Sequence, residues 1–588
     1  MTKETGKAFD TRLFKRLLAH TKPYRLTFYG VALAAILLSG FAVLGPYILQ
    51  KIVDDAIITP NGEKLLQLSL LMLGALLAQV VCQLLFDYYA NWLGESVIQD
   101  VRVNLFKHML GFRMKYFDNS SLGVLVTRSV SDMQRIGEIF SQGFFMIVAD
   151  LLKMLAAAIM MVYLNWKLSL IVFALLPIII YATRLFQKAM KVAFIEVRAQ
   201  VANLNSFVQE RVTGMKIVQL FTREKIESDN FREINEKHQN AWLTTVWYNS
   251  IFFPIAEIVT SVAVGLVVWY GGLQNVANIT VDISGTIFAF ILYIEILFRP
   301  LRQIADKFNT LQMGMVAANR VFKILDTDSN IQDVGTIEKD NVNGNIEFSD
   351  VRFSYVDGEE VLHGISFDVK AGETIAIVGA TGAGKSTIIN LLNRFYEIDS
   401  GVILVDGVDI KDFKLASLRA QIAVVLQDVF LFADTIANNI SLKDPAITLE
   451  SIEHAAKQIG VHEFISSLPG GYGYNVKERG TMLSSGQRQL IAFLRAYVSN
   501  PSILVLDEAT SSVDTYSEQL IQRATDKITE GRTSIVIAHR LHTVKKADKI
   551  LVMDAGKIVE TGTHKELLKK NGYYSKLYEA QFLAEEVV

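Results

Sequence analysis

Six long apolar segments in the first half of the sequence restrict what this chain can fold into. A helix of roughly 20 apolar residues crosses a bilayer core, and each segment is near or above that length. Buried helices of a soluble core are the alternative, but six such segments in succession disfavour it. The sequence predicts an α-helical six-span transmembrane domain over residues 1–320, with spans at 26–49, 65–92, 144–164, 168–186, 251–273 and 283–300.

The segments between the spans differ in length and charge. Those at 94–142 and 187–250 are long and rich in Lys and Arg, whereas those at 51–64, 165–167 and 274–282 are short with few basic residues. Basic loops favour the cytoplasmic side, so both termini are predicted in the cytoplasm and the protein in the inner (cytoplasmic) membrane, among its lipids. Apolar residues recur at intervals of three and four residues in the long loops, as on one face of a helix. This spacing predicts long cytoplasmic helices that extend the spans.

The net charge argues against a nucleic-acid-binding protein, and the cysteine content argues against a protein held together by disulfides. The formal net charge of −2 lacks the basic excess of nucleic-acid-binding proteins, so no nucleic-acid partner is expected. Cys82 is the single cysteine, which excludes an intrachain disulfide framework.

The second half of the sequence has a different pattern. Residues 321–343 are predicted to form a linker, and from residue 344 short β-runs alternate with helical stretches. This alternation is typical of an α/β domain with a largely parallel sheet. We therefore predict a second domain over residues 344–588.

A glycine-rich motif follows one of these β-runs. The sequence GATGAGKST, at 379–387, fits the phosphate-binding loop G-x-x-x-x-G-K-[ST] and precedes a helical stretch. Backbone N–H groups and the helix N-terminus can hold phosphates, while the lysine adds charge and the serine hydroxyl can bind Mg²⁺. Kinases, helicases and other nucleotide enzymes share this loop. Its predicted nucleotide-binding residues are Gly379, Thr381, Gly382, Gly384, Lys385, Ser386 and Thr387.

A second apolar run ends in two carboxylates. The sequence ILVLDEAT, at 503–510, is typical of a buried strand whose end carries Asp507, suited to Mg²⁺. Glu508 is expected to point to the opposite side of the chain, as a general base for the attacking water would need. Such residues often only mark a strand end, but together with the phosphate loop they indicate a nucleotide-hydrolysis site.

A third motif narrows the class. The sequence LSSGQRQL, at 483–490, opens a helix with serine hydroxyls and a glycine amide, which favours anion binding. Here the sequence resembles the ABC transporter family, whose signature is LSGGQ, with Ser485 in place of the first signature glycine. The resemblance implies that ATP contacts Ser484, Ser485, Gly486 and Gln487.

The resemblance extends to further residues in the same order along the chain. It implies that Tyr355 stacks on adenine, that His539 is the switch histidine and that Ser512 and Asp514 contact the partner's site. Gln427 would sense the γ-phosphate and Mg²⁺. The implied catalytic residues are Glu508, His539 and Gln427, and the implied metal ligands are Ser386, Gln427 and Asp507.

Six spans followed by one nucleotide domain resemble an exporter half-transporter, similar to bacterial multidrug and lipid exporters. Segments 117–133 and 208–224 resemble its two intracellular loops, whose tips dock on the nucleotide domains. In this family ATP lies between the phosphate loop of one subunit and the signature motif of another, which implies a dimer that works by alternating access. Intact catalytic elements favour a homodimer, although LSSGQ also resembles the catalytically complete member of heterodimeric exporters.

The substrate is suggested by three acidic residues in the spans, Asp150, Glu257 and Glu295. Charged groups in spans are costly and usually functional, so an acidic cavity for amphipathic, cationic small molecules is one interpretation. The other interpretation is structural: Asp150 would pair with Lys153, and Glu257 or Glu295 would lie near an interface or hydrogen-bond between helices. Glu295 would then pair with Arg299. A lipid flippase shares every nucleotide motif and stays open, as does an importer. The six spans argue against a non-transporting ATPase with the same signature.

Overall fold

The computed structural model describes residues 10–58, 60–277, 283–329, 331, 333–339, 341–507, 515–538 and 540–581. Contacts between Cα atoms divide the chain into two compact units. The first unit comprises Met1–Leu110 and Ser121–Asp328, and the second comprises Gly111–Ser120 and Ser329–Val588. A ten-residue segment from the first half of the sequence therefore packs with the second unit.

The regular elements between Thr11 and Leu325 are all helical. They are α1 (Thr11–Ala19), α2 (Arg25–Ile52), α3 (Gly62–Leu110), α4 (Met114–Asp118), α5 (Leu122–Thr127), α6 (Met133–Glu138), α7 (Phe145–Leu164), α8 (Trp166–Thr213), α9 (Met215–Leu220), α10 (Glu224–Ala277) and α11 (Ser284–Leu325). A 3₁₀ turn lies at Lys22–Tyr24, and π-helical turns lie at Val53–Ile57, Arg128–Asp132 and Ile139–Phe144.

The predicted number of spans is confirmed. Among the described residues, six helical stretches are long and apolar enough to cross a membrane: Lys22–Ile57, Gly62–Leu110, Leu122–Leu164, Trp166–Thr213, Glu224–Gln274 and Ser284–Gln303. Helices α3, α8 and α10 run far past their apolar stretches, which confirms that the long polar segments are helical. The helices exceed the predicted spans because backbone hydrogen bonding continues where hydrophobicity ends.

Packing in the first unit joins helices that are distant in sequence. Helix α8 packs on α10, and α2 packs on α3, α7 and α11. Tyr293 of α11 is buried, and its hydroxyl donates to the Val43 carbonyl of α2 at 2.7 Å. Leucines along α3 such as Leu66, Leu70 and Leu84 remain exposed, which suits a surface in contact with lipid.

The second unit contains ten described strands and ten helices after α4. The strands are β1 (Ile346–Val356), β2 (Glu359–Val369), β3 (Thr374–Gly379), β4 (Ser400–Val405), β5 (Val408–Asp409), β6 (Ile422–Val425), β7 (Ile503–Asp507), β8 (Thr533–Ile537), β9 (Lys549–Asp554) and β10 (Lys557–Gly562). The helices are α12 (Lys385–Leu392), α13 (Leu415–Ala420), α14 (Ile436–Ser441), α15 (Leu449–Ile459), α16 (His462–Ser466), α17 (Ser485–Val498), α18 (Thr515–Thr529), α19 (Leu541–Lys546), α20 (His564–Lys570) and α21 (Tyr573–Gln581).

These strands form two sheets. A six-stranded sheet has the order β10-β9-β3-β8-β7-β6, and all of its neighbours are parallel except β10 with β9, which confirms the predicted parallel sheet. An antiparallel sheet with the order β2-β1-β4-β5 was not predicted, because local β-patterns do not specify which strands pair.

The parallel sheet is buried on both faces. Along β3, Ala376 and Val378 point into a core shared with α15, α17 and α18, while Ile375 and Ile377 point into a core shared with β1, β2 and α12. Alternate residues of a strand point to opposite faces, so a run such as TIAIVG supplies both cores. Because both faces of the sheet are packed, the strand ends that carry the candidate site are held in place.

Candidate functional site

Three predicted site regions meet at one edge of the parallel sheet. The phosphate loop follows β3, Asp507 ends β7, and Gln427 lies two residues after β6 and is exposed. Strands β3, β8, β7 and β6 are consecutive parallel neighbours, so their carboxyl ends share an edge. Open parallel sheets bind ligands at this edge, which makes it the candidate nucleotide site.

The phosphate loop needs glycine for steric reasons. Gly384 has φ +94°, and a Cβ there would meet Leu362 Cδ2 at 2.8 Å. A Cβ at Gly379 would overlap the Met553 carbonyl of the neighbouring strand. The loop is therefore held close to β9 while it turns into helix α12, and Thr381 stays exposed on its outer side.

Lys385 begins helix α12 and folds back over the loop. Its Nζ donates to the carbonyl oxygens of Gly379 at 2.8 Å and Ala380 at 2.9 Å, and the residue is 8% exposed. Burial lowers the pKa of Lys385, and the nearby Asp507 carboxylate opposes that shift. A weakly solvated cation at this position is suited to bind phosphate oxygens.

Two of the three residues predicted to bind metal, Ser386 and Asp507, are next to each other. Ser386 Oγ donates to Asp507 Oδ2 across 3.4 Å, a long hydrogen bond. A hydroxyl and a carboxylate are oxygen ligands that Mg²⁺ accepts, with phosphate oxygens and water as the others. The described part of the chain contains no cluster of three His, Cys, Asp or Glu residues that could hold a metal. Ser386 and Asp507 supply oxygen ligands that fit a Mg²⁺ whose other ligands come from a nucleotide and water.

Tyr355, the predicted adenine-stacking residue, is anchored to the same helix. Its hydroxyl donates to Thr387 Oγ1 at 3.3 Å and accepts from Asn390 Nδ2 at 3.1 Å. Its ring meets the ring of Tyr396 edge-on, with centroids 5.0 Å apart. Thr387 thus supports Tyr355 from a buried position, and the half-buried tyrosine ring is fixed relative to the phosphate loop.

Tyr396 and its partner were not predicted from the sequence. The Tyr396 hydroxyl donates to the Asp118 carboxylate, which ends helix α4 in the segment that packs with the second unit. The Arg113 amide of that segment donates to the Ser329 carbonyl at 2.7 Å. The family resemblance of 117–133 indicated a docking loop, but no local signal indicated Tyr396.

The signature motif forms the start of helix α17. Ser484 caps this helix: its Oγ accepts from the Gln487 amide at 3.2 Å, and the Gln487 side chain accepts from the Ser484 amide at 3.0 Å. Gly486 is buried, whereas Ser484 and Ser485 are exposed. The exposed serines and the helix N-terminus can meet a phosphate that approaches from outside this unit.

Some predicted residues lie outside the described residues. They are Glu508, Ser512, Asp514 and His539. Glu508 directly follows Asp507, and His539 follows Ala538, whose amide donates to the Ile377 carbonyl of β3 at 3.1 Å. Their proposed roles therefore rest on the sequence.

The acidic residues of the spans all have basic partners. Glu257 accepts from Arg302 of a neighbouring helix at 2.9 Å, as the structural interpretation expected, whereas the other two residues do not pair with the expected partners. Asp150 forms an ion pair with Lys307, not Lys153. Glu295 pairs with Arg302 at 3.6 Å, not with Arg299. The expected partners were chosen for closeness in sequence, whereas the observed ones come from α11, which packs on α7 and α10.

Two family models match the chain. One describes the ABC transporter transmembrane region and matches residues 28–301, and the other describes the ABC transporter and matches residues 362–511. The chain belongs to the ABC transporter family. Its architecture is that of a half-transporter, six spans fused to an ATP-binding domain that hydrolyses ATP, and this architecture implies dimerisation.

Relatives of this ABC transporter match along its whole length. "Uncharacterized ABC transporter ATP-binding protein YknV" of Bacillus subtilis (strain 168) is 37% identical, over 98% of this chain and 96% of its own. "ATP-dependent lipid A-core flippase" of Syntrophus aciditrophicus (strain SB) is 33% identical, over 98% of this chain and 95% of its own. "Putative multidrug export ATP-binding/permease protein YgaD" of Bacillus subtilis (strain 168) is 34% identical, over 97% of this chain and 100% of its own.

A solved structure shares the fold. "Structure of a bacterial Atm1-family ABC exporter with ATP bound" matches with a TM-score of 0.75 and 28% identity, over 95% of this chain and 98% of that one. With the relatives, this match makes the protein a multi-pass membrane protein of the ABC exporter type.

Proposed function

We propose that this transporter uses ATP to export amphipathic small molecules, with cationic ones fitting best, across the inner (cytoplasmic) membrane by alternating access. Both termini and the nucleotide-binding domain would lie in the cytoplasm, where the basic loops are expected. The observation that carries the substrate class is the exposure of two carboxylates within spans. The side chains of Glu257 and Glu295 are 66% and 53% exposed.

The proposed unit is a homodimer. One chain has one phosphate loop and one signature motif, and Ser484 and Ser485 are exposed, as a contact with a second chain requires. All the catalytic residue types are present in the sequence, so two copies could form two working sites. A heterodimer is the alternative, and the native mass of the purified protein distinguishes them.

The chain's residues would divide the hydrolysis between them. Lys385 and the loop amides bind the β- and γ-phosphates, and Tyr355 stacks on adenine. Glu508 accepts the proton of the attacking water, while His539 and Gln427 contact the γ-phosphate. Asp514 and Ser512 would contact the partner's site. Mg²⁺ held by Ser386, Gln427 and Asp507 would neutralise phosphate charge.

ATP binding would drive the conformational change. ATP favours the closed pair of nucleotide domains because only that state completes both sites, and hydrolysis removes this preference. The segment Gly111–Ser120, which packs with the nucleotide unit and is continuous in sequence with α3, would carry the movement towards the spans.

Lipid flipping is the second candidate. Relatives named as lipid A-core flippases support it. Lys153 also lies within electrostatic reach of Lys307 and Arg299, which would suit an acidic headgroup. Asp150 and Asp87 lie in the same cluster and neutralise part of its charge.

The test is ATPase stimulation in liposomes by cationic dyes and by lipids. We expect a single-charge cationic dye to raise the rate and to accumulate inside vesicles that carry outward-facing nucleotide domains. Stimulation and movement of acidic lipids alone would replace this proposal with the flippase.

A further inference from the structure

A groove in the membrane unit combines an apolar wall with charged groups. It is a largely open depression of about 770 Å³ beside α10 and α11, a volume typical of small-molecule sites. Phe253, Pro254, Ile258 and Val262 provide the apolar wall. Ser261, Glu257 and Arg302 provide the polar side.

The charged groups of the groove, taken together with the adjacent Glu295, are unequal in number. Glu257 lies one helical turn from Phe253 and from Ser261, on one face of α10. Arg302 of α11 donates to Glu257 at 2.9 Å and lies 3.6 Å from Glu295. Two carboxylates share one guanidinium, so the three groups carry one net negative charge.

This face of α10 is poorly suited to lipid. The Arg302 side chain is 14% exposed, whereas both carboxylates are more than half exposed. Glu257 lies six residues into the apolar run that begins at Ile251, roughly 9 Å along the helix. Because an ionised carboxylate in hydrocarbon is costly, the groove is expected to meet water or a cation.

We propose that this groove binds amphipathic molecules with a single positive charge, and that Arg302 is an internal counter-ion which the substrate replaces at Glu257. After replacement, Arg302 pairs with Glu295 alone, so each carboxylate has one cation. The apolar body of the substrate would pack on Phe253 and its neighbours. This assignment rests on the proposed export function and defines its substrate class.

Two probes of the same shape test whether the groove prefers a positive charge. Tetraphenylphosphonium and tetraphenylborate share four phenyl groups and carry opposite charge. Equilibrium binding of each would be measured on the full-length, nucleotide-free protein in nanodiscs, with binding to protein-free nanodiscs subtracted. We expect wild type to prefer the cation.

Substitutions of opposite sign separate this role from a structural ion pair. Glu257→Gln should weaken cation binding by about three- to tenfold, as expected for a half-exposed charged contact. Arg302→Gln should strengthen it by a similar factor, because the competing guanidinium is gone. Glu233→Gln, which removes a carboxylate paired with Lys237 on the same helix outside the groove, should keep the wild-type preference.

A structural ion pair would weaken binding in both variants, which would overturn the proposal. So would an unchanged ratio of cation to anion binding in Glu257→Gln, the result expected if a second copy covers this face. If Arg302→Gln does not fold, Glu295→Gln replaces it. That change leaves Arg302 entirely to Glu257, so cation binding should fall.

Binding and export can fail separately. Charge-dependent binding without ATP-driven accumulation of the cation would contradict the export function and support the groove. Accumulation that Glu257→Gln leaves unchanged would contradict the groove and support export.

Discussion

The nucleotide unit and the membrane unit differ in how their functional groups are specified. In the nucleotide unit, Ser386 and Asp507 were predicted from two short motifs, and Ser386 Oγ lies 3.4 Å from Asp507 Oδ2. In the membrane unit, the partners expected from sequence neighbours were wrong, and Lys307 and Arg302 take their places. Groups at strand ends are positioned by local backbone, whereas groups on long helices are paired by packing that sequence spacing does not reveal.

The largest expected effect is on hydrolysis. Glu508→Gln should lower steady-state ATPase by about 100-fold or more, because the amide cannot accept the proton of water. ATP should still bind and remain trapped in a closed dimer. Turnover above a tenth of wild type would remove Glu508 from the base role and weaken the claim that motifs specify this unit.

Lys385→Ala tests the phosphate loop. The variant loses a charged contact to phosphate, about 1.5–3 kcal/mol, or roughly a 10- to 150-fold rise in Kd. Direct titration with ATP measures it. Wild-type affinity would contradict the loop assignment.

Tyr355→Ala should have a smaller effect, about fivefold in ATP affinity. Base–aromatic stacking contributes about 1–3 kcal/mol, and the adjacent Phe353 and Tyr396 rings can compensate in part. Tyr355→Phe is the control, since it keeps the ring and loses the contacts to Thr387 and Asn390. An equal loss in both variants would assign the effect to the hydroxyl.

Tyr396→Phe should have the smallest effect and addresses the contact that the sequence did not reveal. It removes the hydrogen bond to Asp118, an exposed contact of about 0.5–1.5 kcal/mol. Transport per ATP hydrolysed should fall by about twofold, since such a bond shifts an equilibrium only slightly. The measurement is the ratio of transport to ATPase rates. Asp118→Asn should give the same ratio, and an ATPase loss without a change in that ratio would contradict the coupling role.

The sequence predicted the fold where periodicity or motif is local. Apolar length identified six spans, and strand–helix alternation identified the parallel sheet. The antiparallel sheet was missed because β1 pairs with β2 and β4 through contacts that no local pattern encodes. The helical extensions of the spans were predicted as well, and α8 remains helical to Thr213 after its side chains become polar.

The same limit applies to the site. The phosphate loop, Asp507 and Ser484 could be predicted because each motif determines its own backbone geometry. Tyr396 could not, because it contacts Asp118 from 278 residues away in sequence. The Arg302 cluster needed the packing of α10 on α11.

ATP-driven export is tested by the accumulation of tetraphenylphosphonium in liposomes with outward-facing nucleotide domains. Wild type with ATP and Mg²⁺ should accumulate the cation against a gradient, and Glu508→Gln should accumulate none under the same conditions. Equal accumulation in the two proteins, or none in a wild type that hydrolyses ATP and binds the cation, would contradict ATP-driven export.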